Sequence, residues 1–278
     1  MYSDEMIQRI DHPGGVVRAL QLTDTHLCRN AGGTLLGMDT DHSLRAVIEL
    51  VKRERPAVDL LLATGDLSDG GAENAYERLQ EYLAEFDCDS FWLPGNHDER
   101  AAMEAVTAGS NCLSREIRVA GWQLLMLDSQ VPGEVGGRLG EDELGFLESA
   151  LVGAKSEGLH TLVCLHHHPV EVGCEWLDEQ IVTDADAFFA ILERFPGAKA
   201  VLWGHVHQQI DRRFQGLRLM ASPSTCVQFA PGSAGFKADD LPPGYRWLEL
   251  RPDGEIDSGI SRVWDVDFTV DLESGGSL

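Results

Sequence analysis

No stretch of this sequence is long and apolar enough to cross a bilayer as a helix; the longest apolar runs, residues 58–63 and 161–165, are the length of a strand. Residues 1–10 carry Asp4, Glu5 and Arg9 and lack the apolar core of a secretory signal, so a cytoplasmic location is expected. The six cysteines, Cys28, Cys88, Cys112, Cys164, Cys174 and Cys226, show no Cys-x-x-Cys spacing. In that setting free thiols are expected rather than a disulfide framework, with Cys88 and Cys164 acting as small hydrophobes in or beside apolar segments. Basic residues are scarce: 22 Lys and Arg face 46 Asp and Glu, for a formal net charge of −24. A polynucleotide binder needs a basic footprint to capture phosphates, so a nucleic-acid partner is not expected. A small anionic substrate is compatible, because bound divalent cations would reverse the sign of the local field. There is no internal repeat, and nothing points to a membrane partner.

With 278 residues, 43% of them hydrophobic, the chain can bury a sizeable core. One domain over residues 1–264 is expected, followed by an acidic tail over 265–278 that ends Ser-Gly-Gly-Ser-Leu, with its last residues frayed. Strand and helix patterns alternate. Residues 16–23, 58–64 and 91–93 read as strands, and 43–55, 72–86 and 99–107 as helices. Leu44, Val47, Ile48 and Val51 recur at helical spacing, and Pro56 ends that helix. Further on, strands are expected over 115–119, 122–127, 161–165 and 199–203, with helices over 142–155 and 184–195. The remainder is β, over 208–214, 217–221, 246–250 and 256–263. The expected class is a mixed-sheet α/β fold, two sheets packed face to face with helices outside.

The metal-ligating residue types are concentrated where the strands end. Asp24-Thr25-His26, Gly65-Asp66, Gly95-Asn96-His97-Asp98, His166-His167-His168 and Gly204-His205-Val206-His207 each follow a predicted strand, and together hold seven of the ten histidines. In open α/β folds, ligands bind at the carboxyl ends of strands. Carboxylate, imidazole and amide oxygen without thiolate suit Mn, Fe, Zn or Mg-like ions. A lone Asp-x-His arises readily by chance, and a single core histidine is more often bonded to backbone than to metal. Five such segments in order are specific. Asp66, with two carboxylate oxygens, can bridge two cations.

The ordered set resembles the calcineurin-like metallophosphoesterase superfamily. That resemblance implies a four-layer α/β/β/α sandwich and two divalent ions, Fe(II) or Mn(II). Asp24, His26 and His207 would hold one metal; Asn96, His166 and His205 would hold the other, with Asp66 between them. Alignment to the family's His-His-Pro-Pro pattern selects His166 among the three consecutive histidines, with His167 and His168 as the other choices. Substrate contact is implied for His26, Asp66, Asn96, His97, His166 and His207. Leu127-Asp128-Ser129-Gln130, Gly173-Cys174-Glu175-Trp176-Leu177-Asp178 and Pro223-Ser224-Thr225-Cys226-Val227-Gln228-Phe229 narrow the resemblance to the class III cyclic-nucleotide phosphodiesterases. It covers residues 16–250 and departs at Met38-Asp39, where Val-Asn is expected.

Two cations about 3.5–4 Å apart can activate a water and neutralise the phosphate it attacks. The resemblance implies hydrolysis of 3',5'-cyclic AMP to 5'-AMP, with His97 as the catalytic acid on the departing ribose oxygen. Asp98, also assigned a catalytic place, can orient that imidazole or cap the following helix. Phe229, Phe236 and Trp176 can stack on adenine or be ordinary buried rings. Two other functions stand beside this one: hydrolysis of another small phosphoester, and a non-catalytic scaffold.

Overall fold

The computed structural model describes residues 7–275. The signal-sequence reading of the N-terminus and the expected fraying of the C-terminus therefore fall partly outside the described residues. Two mixed sheets make the centre. One runs in the order Ile7–Ile10, Glu116–Val119, Trp122–Met126, His160–Cys164, Ala198–Trp203, Leu217–Ala221, Ile210–Phe214. The other runs Ile256–Arg262, Gly244–Leu250, Val17–Leu22, Leu60–Thr64, Asp89–Leu93.

Strand residues alternate between two cores, as the period of a strand requires. Leu60, Leu62, Phe91 and Leu93 of the second sheet meet Leu124, Met126, Leu162, Cys164, Ala200 and Leu202 of the first, in the layer between the sheets. Leu61, Ala63 and Trp92 point the other way, onto helices Thr40–Glu54 and Glu73–Leu83. Leu125, Val163, Val201 and Trp203 face helices Gly140–Glu157 and Ala185–Leu192. Burial on both faces is why these strands read as unbroken apolar runs. The result is the expected helix–sheet–sheet–helix sandwich.

Several details differ from the expectation. The strand Ile7–Ile10 pairs in parallel with Glu116–Val119 at a sheet edge, where its half-buried residues gave no apolar signal. Helix Gly140–Glu157 runs beyond residues 142–155 to Gly158, whose φ of 68° closes it with a left-handed cap. Asp39, the unexpected charge, is the N-cap of helix Thr40–Glu54: its Oδ1 accepts from the His42 N–H at 2.9 Å. Its neighbour Met38 is buried. Residues 265–270, set apart in sequence as tail, lie on the body. Val266 and Phe268 pack against the helical face, and Phe268 and Val270 against Leu35, Met38, Cys226 and Val227.

Candidate metal centre

The strands Val17–Leu22, Leu60–Thr64 and Asp89–Leu93 are parallel neighbours in one sheet, and His160–Cys164 and Ala198–Trp203 in the other. Their carboxyl ends therefore come out on one edge of the sandwich, and the loops that follow carry Asp24, His26, Asp66, Asn96, His97, His166, His205 and His207. Five of these, Asp24, His26, Asp66, His205 and His207, have positive φ, between 42° and 64°. For non-glycine residues that conformation is costly, and it is tolerated at sites where the surroundings over-determine it. Here the backbone is held by cross-loop bonds, Asp24 N–H to Gly65 O at 3.0 Å and His26 N–H to Asp66 O at 2.9 Å. Gly95 and Gly204 admit no side chain: a Cβ would lie 2.2 Å from Asp66 Oδ1 and 2.2 Å from Thr23 Oγ1 respectively.

The ring nitrogens are assigned by their partners. His166 Nδ1 lies 2.8 Å from the Thr64 carbonyl and His207 Nδ1 2.7 Å from the Val227 carbonyl. A carbonyl only accepts, so both rings carry the Nδ1 proton and turn Nε2 into the site. His207 Nε2 then faces Asp24 Oδ1 at 3.3 Å and His26 Nε2 at 3.3 Å. His166 Nε2 faces Asp66 Oδ2 at 3.2 Å, and the same oxygen lies 3.7 Å from His26 Nε2. Asp66 thus stands between a cluster of Asp24, His26 and His207 and a second cluster around His166 and His205.

Lone pairs facing carboxylate oxygens at these distances require a positive charge between them. Without an ion, a proton serves: burial lowers the His166 pKa, but the charge and hydrogen bond of Asp66 outweigh it and push the ring up to about 9. The same pairing, against burial, holds the Asp66 carboxyl well below its ordinary value. His205 Nε2 and Asn96 Oδ1 are buried with no hydrogen-bond partner, which a fully protein-satisfied interior avoids. The donor set fits a pair of divalent cations: Asp24, His26 and His207 on one side, Asn96, His166 and His205 on the other, Asp66 shared.

The other histidines of the triplet are engaged differently. His167 lies close enough to His166 and His205 to be grouped with them. Both its nitrogens are taken, Nδ1 by Ser129 Oγ at 2.8 Å and Nε2 by the Val135 carbonyl at 3.0 Å. His168 is fully buried beside Asp178, 3.7 Å from Nε2 to Oδ1.

Asp98 occupies neither place expected for it. Its carboxylate accepts from the Leu67, Ser68 and Gly95 N–H groups and from the Tyr76 hydroxyl, tying the Asp66 loop to the Asn96 loop. The N-cap of the next helix is Glu99, with no side-chain cap bond. The carboxylate that meets His97 is Asp69, with Oδ1 3.4 Å from Nδ1. Burial lowers the His97 pKa, but the hydrogen bond to Asp69 and the charges of Asp66 and Asp69 raise it to about 9. Asp69 was not singled out in sequence; the signal was a second aspartate in the Asp66 loop, three residues on and just before Gly70-Gly71.

A family model described as calcineurin-like phosphoesterase matches residues 17–209, which include all five strand ends. The chain is a calcineurin-like phosphoesterase. That family works through a dinuclear metal centre, and the residues above include candidate ligand groups for one. The phosphoesterase is 47% identical over 260 residues to the "3',5'-cyclic adenosine monophosphate phosphodiesterase CpdA" of Pseudomonas aeruginosa, covering 94% of this chain and 95% of that one. It is 42% identical to the protein of the same name from Escherichia coli K12, over 94% of both chains. Among solved structures, a dimetal phosphatase from Danio rerio has the same fold, with a TM-score of 0.60 at 17% identity, covering 88% of this chain and 98% of that one.

The three segments outside the metal loops brace this phosphoesterase site. Gln130 Nε2 donates to the Gly95 and Asp98 carbonyls at 2.8 and 2.6 Å, gripping the turn that carries Asn96 and His97. Ser224 Oγ and Cys226 Sγ contact the Asp24 carbonyl, and the Val227 carbonyl orients His207. Asp178 accepts from the N–H groups of Val172, Gly173 and Cys174. Among the described residues no helix is long and apolar enough to cross a membrane.

Proposed function

We propose that this phosphoesterase hydrolyses 3',5'-cyclic AMP to 5'-AMP in the cytoplasm, with Fe(II) or Mn(II) as its two cations. The observation that carries the substrate is the pair of relatives named as cyclic-AMP phosphodiesterases, similar over nearly the whole chain and not over the metal loops alone. When bound, the cations supply an activated water and neutralise charge on the phosphate. Asp24, His26 and His207 hold one; Asn96, His166 and His205 hold the other; Asp66 is shared.

His97 is the general acid. Its Nδ1 is turned to Asp69, so Nε2 is the atom free to deliver a proton to the departing ribose 3'-oxygen. The hydrogen bond and charge of Asp69 favour the protonated ring, the form an acid needs. Asp69 is a positioning residue that fixes the ring and supports its charge. Asp98 acts one step further away, by holding the two loops in register.

The metal residues read a phosphate and not what it is attached to, so the competing substrate is another small phosphodiester. Turnover of cyclic AMP and of a glycerophosphodiester by the Mn-loaded protein separates the two. A kcat/KM at least tenfold higher for cyclic AMP is expected; a preference for the glycerophosphodiester overturns the assignment.

A further inference from the structure

The cavity over the metal centre, about 200 Å³, is lined by the metal residues together with a second, uncharged set that a phosphate does not need. Val135, Trp176, Phe229 and Phe236 supply apolar surface there, with the amide of Gln180 among them. These side chains come from three separate stretches of chain, at residue 135, over 176–180 and over 229–236, so their meeting is a property of the fold.

The rings are not equivalent. Phe229 is buried and stacks flat on His207, at 4.0 Å between centroids and 7° between planes, with Trp176 and Phe236 edge-on to it at 5.2 and 5.4 Å. One face of Phe229 is taken and its edge is covered, so it braces a metal residue. Trp176 and Phe236 are only partly buried and meet each other edge to face at 5.2 Å and 64°. Trp176 Nε1 donates to Ser233 Oγ at 3.3 Å, which fixes the indole against the loop that bears Phe236. Val135 is 52% exposed, one of few large apolar side chains so placed among the described residues. Its position is not accidental: its carbonyl accepts from His167 Nε2, and that ring is locked by Ser129.

We propose that Val135, Trp176 and Phe236 form the subsite for the purine ring of the substrate, with Gln180 the polar group at its edge. His167 is a positioning residue that sets the Val135 loop. This rests on the reading of the substrate as a cyclic nucleotide. Stacking on aromatic faces is how proteins hold a planar, uncharged base, and an apolar rim opening onto a polar phosphate site matches the two ends of such a molecule.

The test compares cyclic AMP with a base-less analogue, methyl ribofuranoside 3',5'-cyclic phosphate, on the metal-loaded protein. The wild type is expected to favour cyclic AMP, and Trp176→Ala and Phe236→Ala to lower kcat/KM for it about tenfold or more, mostly through KM. Turnover of the base-less compound should change less than about twofold, and Trp176→Phe should restore much of the loss. Because Trp176 and Phe236 both touch Phe229, the exposed Val135→Ala keeps the test decisive if either aromatic variant disturbs the metal site. Equal losses on both substrates across the three variants, or no loss on cyclic AMP in Val135→Ala, overturn the subsite. So does a wild type that does not distinguish cyclic AMP from the base-less compound, although hydrolysis of cyclic AMP itself would still stand. Inertness toward cyclic AMP, with an aryl phosphodiester still cleaved, removes the proposed function and the subsite with it.

Discussion

His97 is proposed as an acid rather than a ligand: one ring nitrogen faces Asp69 and the backbone N–H bonds to Asp66 Oδ1 at 2.9 Å. His97→Ala is expected to lower kcat by about 10²–10⁴ while both metals stay bound, as measured by metal analysis alongside turnover. Asp69→Asn should give a smaller loss in kcat and narrow the pH range of activity on its alkaline side, since the ring loses the charge that raises its pKa. The same shift makes a stability prediction for chelator-treated protein. The folded-state pKa of about 9 exceeds the ordinary 6.5, so the contribution is fully present below pH 6.5 and lost as pH rises through about 9. The gap in Tm between wild type and His97→Gln should therefore be widest below pH 6.5 and close above pH 9; a gap that widens with pH contradicts the assignment. The proposed ligand residues stood out in sequence because Asp, Asn and His recur at five strand ends, and the fold brings those ends together. Asp69 and the actual partners of Asp98 were not, because a carboxylate's direction depends on loops that meet only in the fold.

Strands were read well wherever both faces are buried, as at Leu60–Thr64, where every residue is buried and every residue is apolar except Thr64. The edge strand Ile7–Ile10 and the short pairs Thr34–Leu35 with Met38–Asp39 and Gln228–Phe229 with Ala238–Asp239 carry too little periodicity to be seen. The segments that marked the branch in sequence turn out to be braces. Gln130 spans two carbonyls of one turn, so Gln130→Leu removes its bonds to both and leaves the Gly95 carbonyl with only the Asp98 N–H at 3.2 Å. It should cost about 1–3 kcal/mol in urea unfolding of the metal-loaded protein, and lower kcat more than it raises KM. An unchanged unfolding midpoint would mean that the grip does not form in solution.

Over the whole molecule, a net charge of −24 surrounds a site whose lone pairs converge on places for cations. The carboxylates Asp24 and Asp66 leave a pair of divalent ions with net positive charge, so a small anion is drawn to the site although the surface repels long polyanions. The proposed ligands come from both sheets, so bound metals would tie the sheets together. Chelation should lower Tm by roughly 5–10 °C if one site is saturated about a hundredfold over its dissociation constant. No shift on removing bound metal would contradict that tie. The sandwich was legible from the alternation of strands and helices; the packing of Phe268 and Val270 was not, since an acidic terminal stretch gives no sign of where its few apolar residues will dock.

The measurement that bears most directly on the central claim is product analysis of 3',5'-cyclic AMP incubated with Mn- or Fe-loaded protein, beside the Asn96→Ala variant. Release of 5'-AMP by the wild type, abolished in the variant, is the predicted result, because in the proposed reaction the ribose 3'-oxygen is the group that leaves and Asn96 belongs to the second ligand set. Absence of 5'-AMP with metals demonstrably bound, or equal turnover by Asn96→Ala, would contradict it.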